Sequence, residues 1–399
     1  MKLLQITLLF LNILLVSESY SQINSDIALL EQTIEANHIS PFDKLDKALW
    51  EEEFNIFKTL DSISSEETNV NLIRIVSLLQ DEHTMLFPNE KFIFPLRLKW
   101  VNEGAVIAIT DSLNGDLLGA TLVSINGVLT DSIFRQISSL FKQDNPWYVI
   151  EMTEYFFCNT TILKGLHFIN NLSECNVVVK NRAGEFIERQ IRFYALEPNM
   201  KINWVYGSFL KKMIPYHKNS NYWFEYLEDK NTLYMNFQKC TEDKDQPFKK
   251  FNKELFDCIA KNSPQKLILD LRFNPGGNSR VLYPFIKKIQ TSYLNKRGNF
   301  FVLIGKKVIS SSLMNAIELH TNTEAIFVGQ PTSGNLIHYG EIQSVQLEHL
   351  NARLIYSTKK FDLMNGTSSY FKPDVDVSYS LDDLLNGIDP ALETVFSYP

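Results

Sequence analysis

A chain of 399 residues with 45% hydrophobic and 12% aromatic content is long enough for two or three domains and too apolar for wholesale disorder. Its formal net charge of −7 gives no electrostatic footing for nucleic-acid binding.

Behind Met1 and Lys2 runs an apolar stretch from Leu3 to Val16, with Ser19 and Ser21 before Gln22. This is the pattern of a secretory signal peptide over residues 1–21, cleaved near Ser21. The run is short for a membrane span and is interrupted by Gln5, Thr7 and Asn12. An exported protein, periplasmic or extracellular, is expected, with no integral membrane segment after cleavage. Cys158, Cys175, Cys240 and Cys258 fit either disulfides or buried free thiols and show no zinc-like spacing. Asn159, Asn171 and Asn365 begin glycosylation-type tripeptides.

From residue 22 to about 90 the pattern is helical. Ile27, Leu30 and Ile34 mark one face, and Leu45, Leu49, Phe57 and Leu60 a second, less regular one. Ser64-Ser-Glu-Glu67 has the form of a capping box, and the helix it starts runs to Asp81-Glu-His-Thr84. From 91 to 198 strands dominate: Val106–Ile109, Thr121–Gly127 with its Asn126-Gly127 turn, and Cys175–Gly184 entering a hairpin. Ser132–Phe141 suits a helix, and Trp147–Ile169 fits helix or strand equally. From 199 to 399 strands and helices alternate: Thr232–Phe237, Phe248–Lys261, Leu267–Leu271, Phe300–Ile304, Ser311–His320 and Ala325–Val328. Such alternation predicts a layered α/β domain.

Two stretches of this last part carry chemistry. Leu267 to Asn278 reads as a buried strand breaking at Asn274-Pro275-Gly276-Gly277, with helical spacing resuming at Val281, Leu282, Phe285, Ile286 and Ile289. Adjacent glycines allow positive φ and close approach, so such a turn can aim backbone N–H groups at a developing negative charge. Ser310-Ser311-Ser312 stands between a strand and a helix. One reading of it is an N-cap, the other a nucleophile at an exposed corner, and one residue can serve as both. The seven histidines form no HExxH pair. His338-Tyr-Gly-Glu341 sets two possible ligands close together, but a metal is the lesser reading there. No metal or organic cofactor is expected.

Taken in order, Asp81-Glu-His-Thr84, Leu269-Asp-Leu-Arg-Phe-Asn-Pro-Gly-Gly277, Val308-Ile-Ser-Ser-Ser312 and Gly329-Gln-Pro-Thr-Ser-Gly334 resemble the tail-specific (C-terminal-processing) serine peptidase family, nearest its tricorn-core-like branch. The resemblance implies a crotonase/ClpP-like α/β catalytic domain over 199–399, an N-terminal helical domain over 22–90 and a PDZ-like β-rich middle domain over 91–198. It also implies a peptide or protein substrate, and leaves the oligomeric state open.

Carried over by position, Ser310 is similar to the family's nucleophile, with Ser311 the alternative one residue on. The N–H groups of Gly276 or Gly277 and of Ser311 correspond to the oxyanion hole, where losing one donor costs about 3 to 4 kcal/mol in the barrier. The processing branch places a lysine base where Asn335 stands here, and Lys306 and Lys307 read as solvated strand-end charges. His83 is similar to the histidine base of the tricorn-like branch, and its ordinary pKa suits that work. Without the resemblance it would read as a residue closing a helix end. Glu341 is the first candidate for the acid that orients the base, ahead of Glu82 and Asp81. The expected activity is endopeptidase hydrolysis. The alternative is an inactive relative that binds a peptide or apolar ligand on the same scaffold.

Overall fold

The computed structural model describes residues 22–60, 63–364 and 369–399; the expected leader and the Asn365 tripeptide lie outside them. The chain is a mixed α/β protein built around several sheets.

The sheet that carries the glycine turn has six strands in the order Tyr222–Leu227, Thr232–Phe237, Lys266–Asp270, Phe300–Ile304, Ile326–Gly329 and Val375–Asp376. Its first pair is antiparallel and the rest are parallel. Parallel strands need both faces covered, which is why these stretches are almost continuously apolar. Alternation along one strand divides them: Leu267, Leu269 and Leu271 enter one layer with Phe251 and Phe285, while Ile268 packs with Ala391, Leu392 and Val395 on the other side.

In the N-terminal part, the helix over 22–37 buries Ile27, Leu30 and Ile34 as expected. The next helix, Lys47–Lys58, buries a different face from the expected one. Its N-cap Asp46 accepts from the Ala48 N–H, and the row Trp50, Phe54, Phe57 turns inward, leaving Leu49 and Leu60 exposed. Ser64 and Glu67 close both halves of the capping box at the head of Ser65–Ser77. The side chains exchange bonds with each other's backbone N–H groups at 3.2 and 2.7 Å.

The middle sheet is antiparallel, around Gly104–Asp111, Thr121–Ile125, Glu174–Lys180 and Phe186–Arg192. Asn126 and Gly127 both have positive φ, as the tight turn between Thr121–Ile125 and Val128–Leu129 requires. The ambiguous stretch after Trp147 resolves into two helices, Pro146–Phe156 and Thr160–Gly165, each capped by an asparagine, Asn145 and Asn159. Asn159 is buried, with its side-chain oxygen accepting from the Ile162 N–H. All four cysteines are free thiols.

Two elements cross the expected domain boundaries. Trp204–Tyr206 adds to the edge of Gly104–Asp111 in the middle sheet. The hairpin Ile337–Leu347 and Ala352–Asp362 pairs back onto Met85–Pro88 and sends Leu347, Leu350 and Leu354 into the N-terminal core.

At the end of Lys266–Asp270 the buried Arg272 guanidinium meets Asp270 at 2.6 and 3.0 Å and Asp389 at 2.8 Å through two nitrogens. Asp389 also caps the helix Pro390–Ser397, so one cation ties the strand end to the C-terminal helix. Burial opposes the charged guanidinium, yet the two carboxylates hold its pKa well above the ordinary value. Arg272→Met leaves two buried carboxylates without their cation and is expected to destabilise the fold by about 3 to 5 kcal/mol in denaturant titration. A loss below about 1 kcal/mol would show that the network bears little of the stability.

Candidate active site

The strand Phe300–Ile304 leads through a turn into the helix Ser311–Asn322, and Ser310 stands at the junction. Its backbone has φ 58° and ψ −130°, a conformation a non-glycine residue avoids at a cost of about 1 to 3 kcal/mol. Ser310 is the helix N-cap by position, and its carbonyl accepts from the Met314 N–H at 3.0 Å, but its hydroxyl makes no capping bond. Strain without a cap bond is what a presented hydroxyl looks like, and it sets Ser310 apart from its neighbours. The Ser311 hydroxyl donates to the Gly277 carbonyl at 2.6 Å. The Ser312 hydroxyl lies 2.7 Å from the Asn274 carbonyl, to which it donates, and accepts from the Ile309 N–H at 3.1 Å.

These bonds lash the serine corner to the glycine turn. Gly276 and Gly277 have φ of 105° and 131°. A Cβ on Gly276 would lie 2.9 Å from the Ser310 Cβ, and one on Gly277 only 2.4 Å from the Cys240 carbonyl oxygen. The two candidate donors then separate. The Gly276 N–H is already given to the Asn274 side-chain oxygen at 2.9 Å, whereas among the described residues the Gly277 and Ser311 N–H groups have no partner. Asn274, whose amide also donates to the Phe237 carbonyl at 2.9 Å, shapes the turn. Asn-Pro-Gly-Gly advertises a turn but not which N–H the asparagine takes.

His83 lies in the loop that follows Ser65–Ser77. Asp81 organises this loop: its carboxylate accepts from the His83 N–H at 2.9 Å, from the Thr84 hydroxyl, and from His38 Nε2 at 3.0 Å. His38 Nδ1 accepts from the Ser40 N–H at 3.1 Å, which places the proton on Nε2. Burial would raise the Asp81 pKa, but His38, His83, Ser357 and Thr84 bring it down to about 2. Burial pushes the His83 imidazole down to about 4, with Asp81 opposing and His338 assisting.

Glu82 is the carboxylate beside this imidazole. Its Oε2 accepts from the Asn335 N–H at 2.8 Å, and its Oε1 lies 3.7 Å from His83 Nδ1. Both Oε1 and Nδ1 are buried without a hydrogen-bond partner. Burial drives the Glu82 pKa well above the carboxylate range, against the Asn335 bond. A closing movement of under about 1 Å brings the two orphaned atoms into a hydrogen bond. His338 stacks against His83 with ring centroids 5.6 Å apart and donates from Nδ1 to the Asn335 carbonyl at 2.8 Å.

Glu341 does not join this group. It is exposed, with positive φ, and pairs with Lys359 at 3.3 Å, because the hairpin carries it past the buried His338 into solvent. The carboxylate beside His83 is therefore Glu82, and His338 and Glu341 share no ligand position. Lys307 is exposed as expected, but Lys306 is largely buried and paired with Glu154. Asn335 brings its backbone to Glu82, while its own Oδ1 is buried and unpartnered.

Ser310 and His83 make no hydrogen bond to each other, but one segment joins their surroundings. The Gly334 N–H donates to the Val308 carbonyl at 3.1 Å, two residues before Ser310, and the next N–H holds Glu82. Asn145 braces the same segment through the carbonyls of Thr332 and Ser333.

No protein-family model and no curated protein matches the sequence. Among solved structures, mature CPAF complexed with lactacystin aligns with a TM-score of 0.67 and 10% identity over 94% of this chain and 97% of that chain. Mature CPAF alone aligns with a TM-score of 0.67 and 9% identity over 94% and 96%. At that identity the likeness establishes a shared fold along nearly the whole length of both chains. A photosystem II D1 C-terminal processing protease aligns with a TM-score of 0.42 and 11% identity over 93% and 98%, too loose a superposition to carry an argument.

The glycine turn gives a direct test of the packing. Gly277→Ala is expected to lower stability by about 1 to 3 kcal/mol in thermal or denaturant unfolding. Gly115→Ala, whose Cβ would meet only Val205 Cγ2 at an ordinary 3.5 Å, should cost less than about 1 kcal/mol. Equal effects would mean that the close approach to Cys240 is not a constraint.

Proposed function

We propose that the chain is a serine endopeptidase in which Ser310 is the nucleophile, His83 the general base and Glu82 the acid that orients it. The observation that carries this reading is Ser310 itself: a strained backbone with an uncapped hydroxyl, in a corner where the Gly277 and Ser311 N–H groups have no partner among the described residues. The fold shared with mature CPAF supports the reading, as does the order of the four sequence motifs. Export is part of the proposal and rests on the leader pattern of residues 1–21.

Ser310 Oγ attacks the carbonyl carbon of a peptide while His83 Nε2 takes its proton. The carbonyl electrons move onto oxygen, where the Gly277 and Ser311 N–H groups receive the charge. Collapse expels the amine, which takes the proton from His83, and a water repeats the sequence on the acyl-enzyme. Glu82 Oε1, accepting from His83 Nδ1, sets the tautomer that leaves Nε2 free as base.

Ser310→Ala and His83→Ala are each expected to lower kcat/KM on an unstructured peptide by about 10³-fold or more, and Glu82→Gln by about 10²-fold or more. Glu341→Gln should leave the rate within about twofold, as an exposed ion pair contributes little. Undiminished hydrolysis in Ser310→Ala would refute the assignment.

The lowered His83 pKa has a signed consequence. The base is neutral, and so competent, at any pH above its own pKa, so kcat/KM should hold through mildly acidic pH and fall with an inflection nearer 4 than the ordinary 6.5. An acid limb at or above 6.5 would contradict the burial that sets this value.

A further inference from the structure

Beside the serine corner lies a cleft of about 670 Å³ whose walls come from three parts of the chain. Ile309 and Pro275, the residues before Ser310 and Gly276, form its floor. One wall is the helix Pro146–Phe156, through Tyr148, Met152 and Tyr155. The other is one face of the three-stranded sheet, where Phe87 faces Arg353 and Ser344 faces Ile355 in register. Tyr155 and Ile342 are 62% and 49% exposed, so the cleft presents open apolar surface.

Its charge runs against that of the whole chain. Lys239, Lys307 and Arg353 line it with one carboxylate, Glu151, whereas the protein carries a net charge of −7. Glu151 lies 4.0 Å from Lys307 and answers that lysine. Lys239 and Arg353 are exposed and form no ion pair among the described residues. The strand Ile337–Leu347 is also the outer strand of its sheet, and its Ile342, Gln343 and Ser344 border the cleft. An extended backbone can add to such an edge while its side chains enter pockets beside it.

We infer that this cleft selects its substrate: an extended peptide segment with a large apolar side chain next to the scissile bond, flanked by Asp or Glu. The apolar side chain fills the space between Tyr148, Met152 and Ile309, and the flanking carboxylates meet Lys239 and Arg353. The inference rests on the peptidase reading for the cleavage it directs, but recognition by the cleft can be measured without cleavage.

The test is therefore binding to the full mature chain carrying Ser310→Ala, by fluorescence anisotropy, using three labelled peptides. Each has a central Phe in a Gly-Ser context, flanked by Glu pairs, by Lys pairs or by Ser pairs. The Glu-flanked peptide is expected to bind about tenfold or more tightly than the Lys-flanked one, and raising NaCl from about 0.05 to about 0.5 M should erase most of that ratio. Lys239→Glu and Arg353→Glu should each shrink the ratio by about two- to fivefold, with the Ser-flanked peptide as internal reference for folding. Equal binding of the Glu- and Lys-flanked peptides, or a ratio that neither reversal moves, overturns the inference. If the ratio appears but the unmutated protein cleaves none of the three, the peptidase reading fails while the cleft's selectivity stands.

Discussion

The structure depends on one close contact, the packing of the Asn274–Gly277 turn against the Ser310–Ser312 corner. A Cβ at Gly276 would stand 2.9 Å from that of Ser310, so only glycine lets the two backbones meet. Two bonds then hold them, Ser311 to the Gly277 carbonyl and Ser312 to the Asn274 carbonyl, while the Gly276 N–H bond to the Asn274 side chain fixes the turn itself. With two of the three serines and one of the two glycine N–H groups committed to structure, Ser310, Gly277 and Ser311 N–H remain open. The strain at Ser310 is sustained because the fully buried strand Phe300–Ile304 on one side and the helix Ser311–Asn322 on the other over-determine the corner.

A second contact joins the N-terminal part of the chain to this corner. The segment Thr332–Asn335 touches Val308 on one side and Glu82 on the other; Asn145 braces it through the Thr332 and Ser333 carbonyls, and the Tyr148 hydroxyl donates to the Glu82 carbonyl. Glu82, the neighbour of His83, is thus tied to the segment that reaches the Ser310 corner by the Asn335 N–H bond to its carboxylate. Among the described residues, four of the eleven buried side-chain polar atoms without partners belong to this group: Glu82 Oε1, His83 Nδ1, His338 Nε2 and Asn335 Oδ1. Such atoms are costly to bury.

Much of this was legible from residues alone, and the reasons differ by element. The four inner strands of the six-stranded sheet announce themselves as apolar runs because both faces are covered, and Thr232–Phe237 and Phe300–Ile304 fall where the pattern puts them. Ser64-x-x-Glu67 marks its helix start because both capping bonds are local. What was not legible is long-range. The hairpin from Ile337 to Asp362 pairs with Met85–Pro88 across the chain, and no local pattern reports that partner. That pairing exposes Glu341, which sequence order favoured as the acid, and the contact between Asn335 and the N-terminal loop leaves Glu82 beside His83 instead. The choice of Gly277 over Gly276 as open donor likewise depends on where one asparagine side chain points.

The central claim is that one serine of three is the nucleophile, and the most direct measurement is the residue that a fluorophosphonate modifies. After reaction of the mature protein, peptide mapping by mass spectrometry should place a single adduct on Ser310, formed slowly or not at all in His83→Ala. An adduct on Ser311 or Ser312, or an unmodified Ser310 in protein that hydrolyses peptides, would contradict the account.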